Sequence, residues 1–257
     1  MTDHNIYVGN DLEKAVQPSK IYVGDENDTA RLVSKAYVGN LSNKAVQVWP
    51  KMKWSDIYQK CEYLYNTGGT EYINLNKKPD SNTRAIITMK FVSTSSSSYE
   101  YYGISATGSW GIAYYFNGSL YNVRMRFNQS TGSATGNMIT YKFGGTSLWN
   151  KHTYDFNHSG GYFYIDGTNR GQLQNTFSNM SENILLWKVG GGAGSFGRNA
   201  KAHIYSCKIY QGNNLIYDLV PCYRKNDLKP GMYDFANNYF HTNAGSGEFY
   251  RGPDVND

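Results

Sequence analysis

Short runs of strand-forming residues, each stopped by turn residues, fill most of this chain, and that rhythm most constrains its fold. Glu71-Tyr72-Ile73-Asn74-Leu75, Arg84 to Phe91 and Leu120 to Phe127 alternate between apolar and polar positions, as half-buried strands do. Phe163-Tyr164-Ile165 runs directly into Asp166-Gly167, a strong hairpin signal, because a two-residue turn needs residues that tolerate positive φ. Gln211-Gly212-Asn213-Asn214 separates the strand-like run His203 to Tyr210 from Leu215 to Val220. Ser93 to Ser98 and the glycine-rich stretch Gly190 to Gly197 read as loops. Composition agrees: 24 Tyr favour pleated surfaces and 27 Gly suit tight turns. The best helical stretch, Trp54 to Leu64, is short and breaks at Asn66-Thr67-Gly68-Gly69. Strands at this spacing predict a two-sheet sandwich or jelly roll.

The opening segment has its own period. Ile6-Tyr7-Val8-Gly9 returns fifteen residues later as Ile21-Tyr22-Val23-Gly24, and again as Ala36-Tyr37-Val38-Gly39. Lys14-Ala15-Val16-Gln17 also recurs as Lys44-Ala45-Val46-Gln47. Each unit reads as a short strand, an Asn/Asp-rich turn and a second strand, which makes a hairpin. An isolated hairpin is marginal in water, so such units must pack on neighbours or on other chains. Pro50 marks a boundary, giving residues 1–50 as an anchoring or assembly segment and 51–257 as the body.

Formal net charge is +5. Basic residues are scattered, without the clustered footprint that nucleic-acid binding needs, so no nucleic-acid partner is expected. Mild basicity is compatible with acidic cell-wall polymers or anionic glycans. Cys61, Cys207 and Cys222 are too few for a disulfide scaffold and read as buried thiols, with a Cys207–Cys222 bridge left open. Polar Met1-Thr2-Asp3-His4-Asn5 begins no signal peptide, and no apolar run reaches membrane-spanning length, so no membrane insertion is expected.

Two stretches carry a family resemblance. One runs from Cys61-Glu62-Tyr63-Leu64-Tyr65-Asn66 through Thr67-Gly68-Gly69-Thr70-Glu71-Tyr72-Ile73. The other begins at Ala202-His203-Ile204-Tyr205-Ser206-Cys207-Lys208-Ile209-Tyr210. It continues through Asp218-Leu219-Val220-Pro221-Cys222 and Gly231-Met232-Tyr233-Asp234 to Thr242-Asn243-Ala244-Gly245-Ser246-Gly247. Together they resemble the opening and closing strands of laminin-G-like, concanavalin-A-like jelly-roll domains in tail and other virion proteins of phages of gut Firmicutes. The likeness spans about residues 60 to 252, and the Tyr-Val-Gly repeats also resemble segments of such proteins. It implies an all-β concanavalin-A-like jelly-roll sandwich with a short N-terminal β-hairpin repeat segment, located in a virion. Fold analogy alone does not give an activity.

Catalytic chemistry finds little support in the residues. A retaining glycosidase needs two carboxyls about 5 Å apart, and Glu-x-Asp-x-x-Glu, the pair-bearing run of laminarinase-like relatives of the fold, is absent. Glu71, Glu100, Asp155, Asp166, Glu182, Asp218 and Asp234 stand isolated. His152, Asp155 and His158 have a spacing that in an extended strand puts Asp155 on the opposite face from the two histidines, which is poor for zinc. No oxygen set sufficient for calcium is evident among Asp80, Asn82, Asn117, Asp166 and Asn169. The expectation is no cofactor, no metal and no enzyme.

Aromatic residues offer a binding reading, since flat rings stack on the C–H faces of sugars while Asn, Arg or His fix hydroxyls. The candidate ligand-binding set is Trp110, Tyr114, Tyr115, Asn117, Arg124, Arg126, Trp149, His152 and Tyr162. The sequence thus points to a non-enzymatic phage tail or fibre protein that recognises host cell-surface polysaccharide or glycan. Residues 1–50 would contact other virion proteins, and the repeats would gain a core in a homotrimer. The alternatives are a structural decoration or assembly protein of the particle and, third, a polysaccharide depolymerase.

Overall fold

A computed structural model describes residues 22–24, 30–32, 36–39, 45–49, 54–67, 70–92, 100–107, 110–116, 118, 120–127, 138–144, 147–158, 161–173, 180–189 and 197–256. The chain divides into two compact units, residues 1–56 and 57–257. In the first unit, β1 (Tyr22–Gly24) pairs antiparallel with β2 (Ala30–Leu32), and β3 (Ala36–Gly39) with β4 (Ala45–Trp49). The second and third Tyr-Val-Gly copies therefore each open a hairpin; the first copy lies outside the described residues.

Next come α1 (Trp54–Ile57), β5 (Tyr58–Lys60), β6 (Leu64–Tyr65), β7 (Ile73–Asn74), β8 (Thr83–Phe91), β9 (Glu100–Thr107), β10 (Trp110–Phe116), β11 (Tyr121–Phe127) and β12 (Met138–Lys142). A 3-10 turn, Ser147–Trp149, leads to β13 (His152–His158), β14 (Tyr162–Ile165), β15 (Thr168–Gln172), β16 (Leu185–Leu186) and β17 (Gly197–Asn199). β18 (Ala202–Gln211), β19 (Asn214–Arg224), β20 (Pro230–Asp234), β21 (Tyr239–His241) and β22 (Tyr250–Arg251) complete the chain. The helical expectation for Trp54 to Leu64 is corrected to a single turn. Tyr58–Lys60 is strand because its backbone pairs with Cys222–Arg224 of β19, and tertiary pairing overrides local propensity.

The second unit is a two-sheet, almost wholly antiparallel β structure of the sandwich type. The smaller sheet runs β12-β11-β10-β9-β16-β7, with β17 parallel to β9. The larger runs β15-β14-β13-β8-β18-β19-β20-β21, with β5, β6 and β22 alongside. Strand alternation builds the core between them. β8 sends Ala85, Ile87, Met89 and Phe91 inward, and each is fully buried. Trp110 of β10 meets Phe156 of β13 at 4.7 Å between ring centroids, and Phe91 of β8 meets Tyr114 of β10 at 5.1 Å, so aromatic pairs join the two sheets.

The Asp166-Gly167 turn closes β14 onto β15 with φ of 51° and 75°, the two positive values a type I′ hairpin requires. All three cysteines are buried and free, so the Cys207–Cys222 bridge does not form. Burial pushes the Cys61 thiol up to about 12, and the thiols of Cys207 and Cys222 are raised for the same reason. Among the described residues, no helix is long and apolar enough to cross a membrane.

The stretches that carry the family resemblance are neighbours in space. Leu64 pairs with Ile204 and Tyr65 with His203. The fully buried Asn66 extends this ladder by side chain: its Nδ2 donates to Ala200 O at 3.0 Å, and its Oδ1 accepts from Ala202 N at 3.1 Å. Asn243 Oδ1 accepts from Tyr72 N at 3.0 Å, which docks the C-terminal turn against the opening strands.

Candidate functional site

Alternation on β11 sends Val123 and Met125 into the core and turns Arg124 and Arg126 to the outer face of the smaller sheet. Register then decides their neighbours. Ala113 on β10 stands opposite Arg124, and Gly111 opposite Arg126. Neither has bulk, so both guanidiniums lie over β10 and reach Glu100 on β9. Arg124 Nη1 donates to Glu100 Oε1 at 2.7 Å, and Arg126 Nη2 donates to the same oxygen. Tyr102 Oη donates to the other oxygen, Oε2, at 2.7 Å. Tyr115, opposite Glu100 in the ladder, offers its ring to Arg124, whose guanidinium carbon sits 3.7 Å from the centroid.

The Glu100 side chain is only 6% exposed, whereas Arg124 and Arg126 are 21% and 20% exposed. Burial alone would raise the Glu100 carboxyl. Hydrogen bonds from Arg126 and Arg124 outweigh it and hold the group below the usual carboxylate range. Burial, with the adjacent Glu100 charge, pushes the Tyr102 hydroxyl up, which keeps it a donor. Two guanidiniums thus converge on one carboxylate oxygen. Nε of Arg124 and Oδ1 of Asn122 are buried without a hydrogen-bond partner among the described residues. Asn122 is 1% exposed and stands opposite Tyr115. The arrangement fixes a partly exposed guanidinium against an aromatic ring on the outer face of the sheet.

Of the residues expected to bind ligand, the structure brings together Tyr115, Arg124 and Arg126. Trp110 and Tyr114 lie in the core, each fully buried, because their strand positions alternate with Ala113 and Tyr115 toward the opposite sheet. Trp149 also packs against the core, edge-on to Tyr114 at 5.6 Å and to Tyr121 at 4.8 Å. His152 and Tyr162 belong to the larger sheet. His152 Nε2 donates to Ser147 O at 2.8 Å, and Nδ1 pairs with Asp166 at 2.6 Å, so both ring nitrogens are engaged. Asn117 lies outside the described residues. Asn157, at φ 58°, interrupts the alternation of β13 and brings His158 Nδ1 to 3.0 Å from Asp155, correcting the opposite-face expectation for that pair. Asp155 is itself clamped by Arg84 Nε at 2.7 Å and Nη2 at 2.6 Å.

Glu100, Tyr102 and Asn122 were not legible as site residues. The signal was present in the two-residue spacings Glu100/Tyr102 and Arg124/Arg126, each of which puts its pair on one strand face. Also unexpected is an aromatic row on the outer face of the larger sheet. Tyr63 stacks on His203 at 4.0 Å, Tyr65 meets His203 edge-on at 5.0 Å, and Tyr205 and the 60%-exposed Tyr250 extend the row. A scan of protein-family models gives no match to this chain, and a search of curated proteins gives none either.

Proposed function

We propose that this chain is a non-enzymatic virion protein of the phage tail or fibre type, and that its β-sandwich, read as a concanavalin-A-like jelly roll, binds host surface glycan. The observation that carries the binding reading is Arg124, held at 2.7 Å by Glu100, stacked at 3.7 Å on Tyr115 and still 21% exposed. A preset guanidinium beside an aromatic ring loses little freedom when a sugar hydroxyl or acid group arrives. Glu100 itself is no candidate general acid for glycoside cleavage. A carboxyl held below its ordinary range is a poor general acid, and glycoside cleavage needs one raised above it.

The Tyr-Val-Gly hairpins support an assembly role for residues 1–50. A three-residue strand pair such as β1–β2 has too little surface to be stable alone. In this reading the hairpins contact other virion proteins and bring copies of the chain into a homotrimer. Light scattering on the full chain tests the assembly, with a mass three times that of the chain expected and a strict monomer contradicting it. Wall polysaccharides extracted from Firmicutes test the binding. Retention of the purified protein on at least one of them supports the proposal, and retention on none of a broad panel removes it.

A further inference from the structure

At the β20–β21 edge of the larger sheet, polar side chains share the face that elsewhere carries the core. Register fixes which side chains share that face. Leu219 stands opposite Asp234, which stands opposite Tyr239, and Met232 stands opposite His241. Leu219 and Met232 belong to the core, so Asp234, Tyr239 and His241 point to the same inner side. Beyond the reach of the core, this side and the segment after β7, Leu75 to Lys77, enclose a cleft of about 520 Å³. That volume lies within the ~300–1,000 Å³ range of small-molecule sites.

Asp234 is accounted for by the fold. Its Oδ1 accepts from Asp218 N at 2.9 Å and Ala236 N at 3.0 Å, and its Oδ2 accepts from Asn237 Nδ2 at 2.6 Å. His241 is not accounted for. It is 9% exposed, and its Nε2 is buried without a hydrogen-bond partner among the described residues. The nearest acid, Asp234, stands 3.8 Å away, beyond hydrogen-bond length. A buried polar atom left unpaired is costly, so Nε2 calls for a partner that the described residues do not supply. Burial holds the imidazole below its ordinary pKa, against the pull of Asp234, so the ring is neutral at neutral pH. Its Nε2 is then a donor or an acceptor according to tautomer, and a hydroxyl group satisfies either. At the mouth, Tyr239 is 60% exposed, and its ring meets that of His241 at a steep angle with 4.8 Å between centroids. Lys77 also lines the cleft, while the nearby Asp80 is occupied by Gln211 Nε2 at 2.8 and 2.9 Å.

We propose that this cleft binds one unit of a neutral, hydroxyl-rich ligand, a saccharide, with a hydroxyl on His241 Nε2 and the ring stacked on Tyr239. The buried Asp234 carboxylate beside Nε2 disfavours an acidic unit. This site is separate from the Arg124 face and stands or falls independently of the function proposed for that face.

The test is an NMR titration of the full chain with the methyl glycosides of glucose, galactose, N-acetylglucosamine and rhamnose, with methyl glucuronide as the acidic counterpart. At least one neutral glycoside is expected to shift resonances at His241 and Tyr239. Its affinity should fall at least tenfold in Tyr239→Ala, an exposed change that leaves the core intact, and in His241→Phe, and should be unchanged in Lys142→Ala, an exposed change on the far edge strand of the smaller sheet. No shift with any neutral glycoside, shifts insensitive to both cleft substitutions, or glucuronide bound as tightly as glucoside would each overturn the proposal.

Discussion

The guanidinium of Arg124 lies 3.7 Å from the ring centre of Tyr115, across an antiparallel pair, while its Nη1 reaches 2.7 Å to the carboxylate of Glu100 two strands away. Sheet geometry alone does not bring these groups together; it needs the small residues Ala113 and Gly111 between them. The outer face of the smaller sheet is therefore organised by one acid, and the first consequence concerns that acid.

Glu100→Ala leaves two arginines and Tyr102 without their shared partner. Breaking a buried charge pair costs about 3–5 kcal/mol, and partial exposure of both arginines places the expected loss near ~3 kcal/mol. Urea unfolding should show this as a lowered midpoint with an unchanged slope. Arg124→Lys should cost less than ~1 kcal/mol while removing the flat surface that stacks on Tyr115. Equal losses in the two variants would show that Glu100 does not organise the cluster.

Acid should weaken the same cluster. In the folded protein the Glu100 carboxyl is held below its ordinary value of 4.5. Folding therefore gains stability from its ionised form at pH above about 4.5, and that gain is lost as pH falls from there through the lowered folded value. Melting temperature measured from pH 6 to pH 3 should fall for the wild type through this window, and Glu100→Gln should flatten the fall. An identical pH profile in the variant would contradict the assignment.

Trp110 serves packing. Trp110→Ala removes the ring that meets Phe156 across the sandwich and should destabilise by about 3–5 kcal/mol. Trp110→Phe should be milder and should leave ligand affinity within twofold of the wild type. A tenfold loss of affinity in a still-folded Trp110→Phe protein would return this residue to the binding surface.

Strand spacing made the sandwich readable, because alternation over Arg84 to Phe91 and the Asp166-Gly167 turn are local signals and the structure obeys both. The candidate site was only partly readable, for a physical reason. Alternation shows that Tyr114 and Tyr115 face opposite ways, but not which way the core lies; that depends on the opposing sheet. Phe91 and Phe156, far away in sequence, decide it by claiming Tyr114 and Trp110. The pairing of Glu100 with Arg126 likewise rests on register between strands that no local pattern reveals. The helical reading of Trp54 to Leu64 failed in the same manner, because the partner of Tyr58–Lys60 is Cys222–Arg224.

Asn66 replaces a length of backbone ladder. Asn66→Ala should strand the buried Ala200 carbonyl and Ala202 amide, at a cost of about 2–4 kcal/mol. Hydrogen exchange at Ala202 should accelerate by at least a hundredfold in the variant. Unchanged protection there would mean that Asn66 does not complete the ladder.

Affinity for a host wall polysaccharide, measured by calorimetry for the wild type, Arg124→Ala and Tyr115→Ala, tests the central claim most directly. The account predicts measurable binding by the wild type, and at least tenfold weaker binding by both variants, each still cooperatively folded at the assay temperature. Wild-type affinity in both folded variants would contradict it.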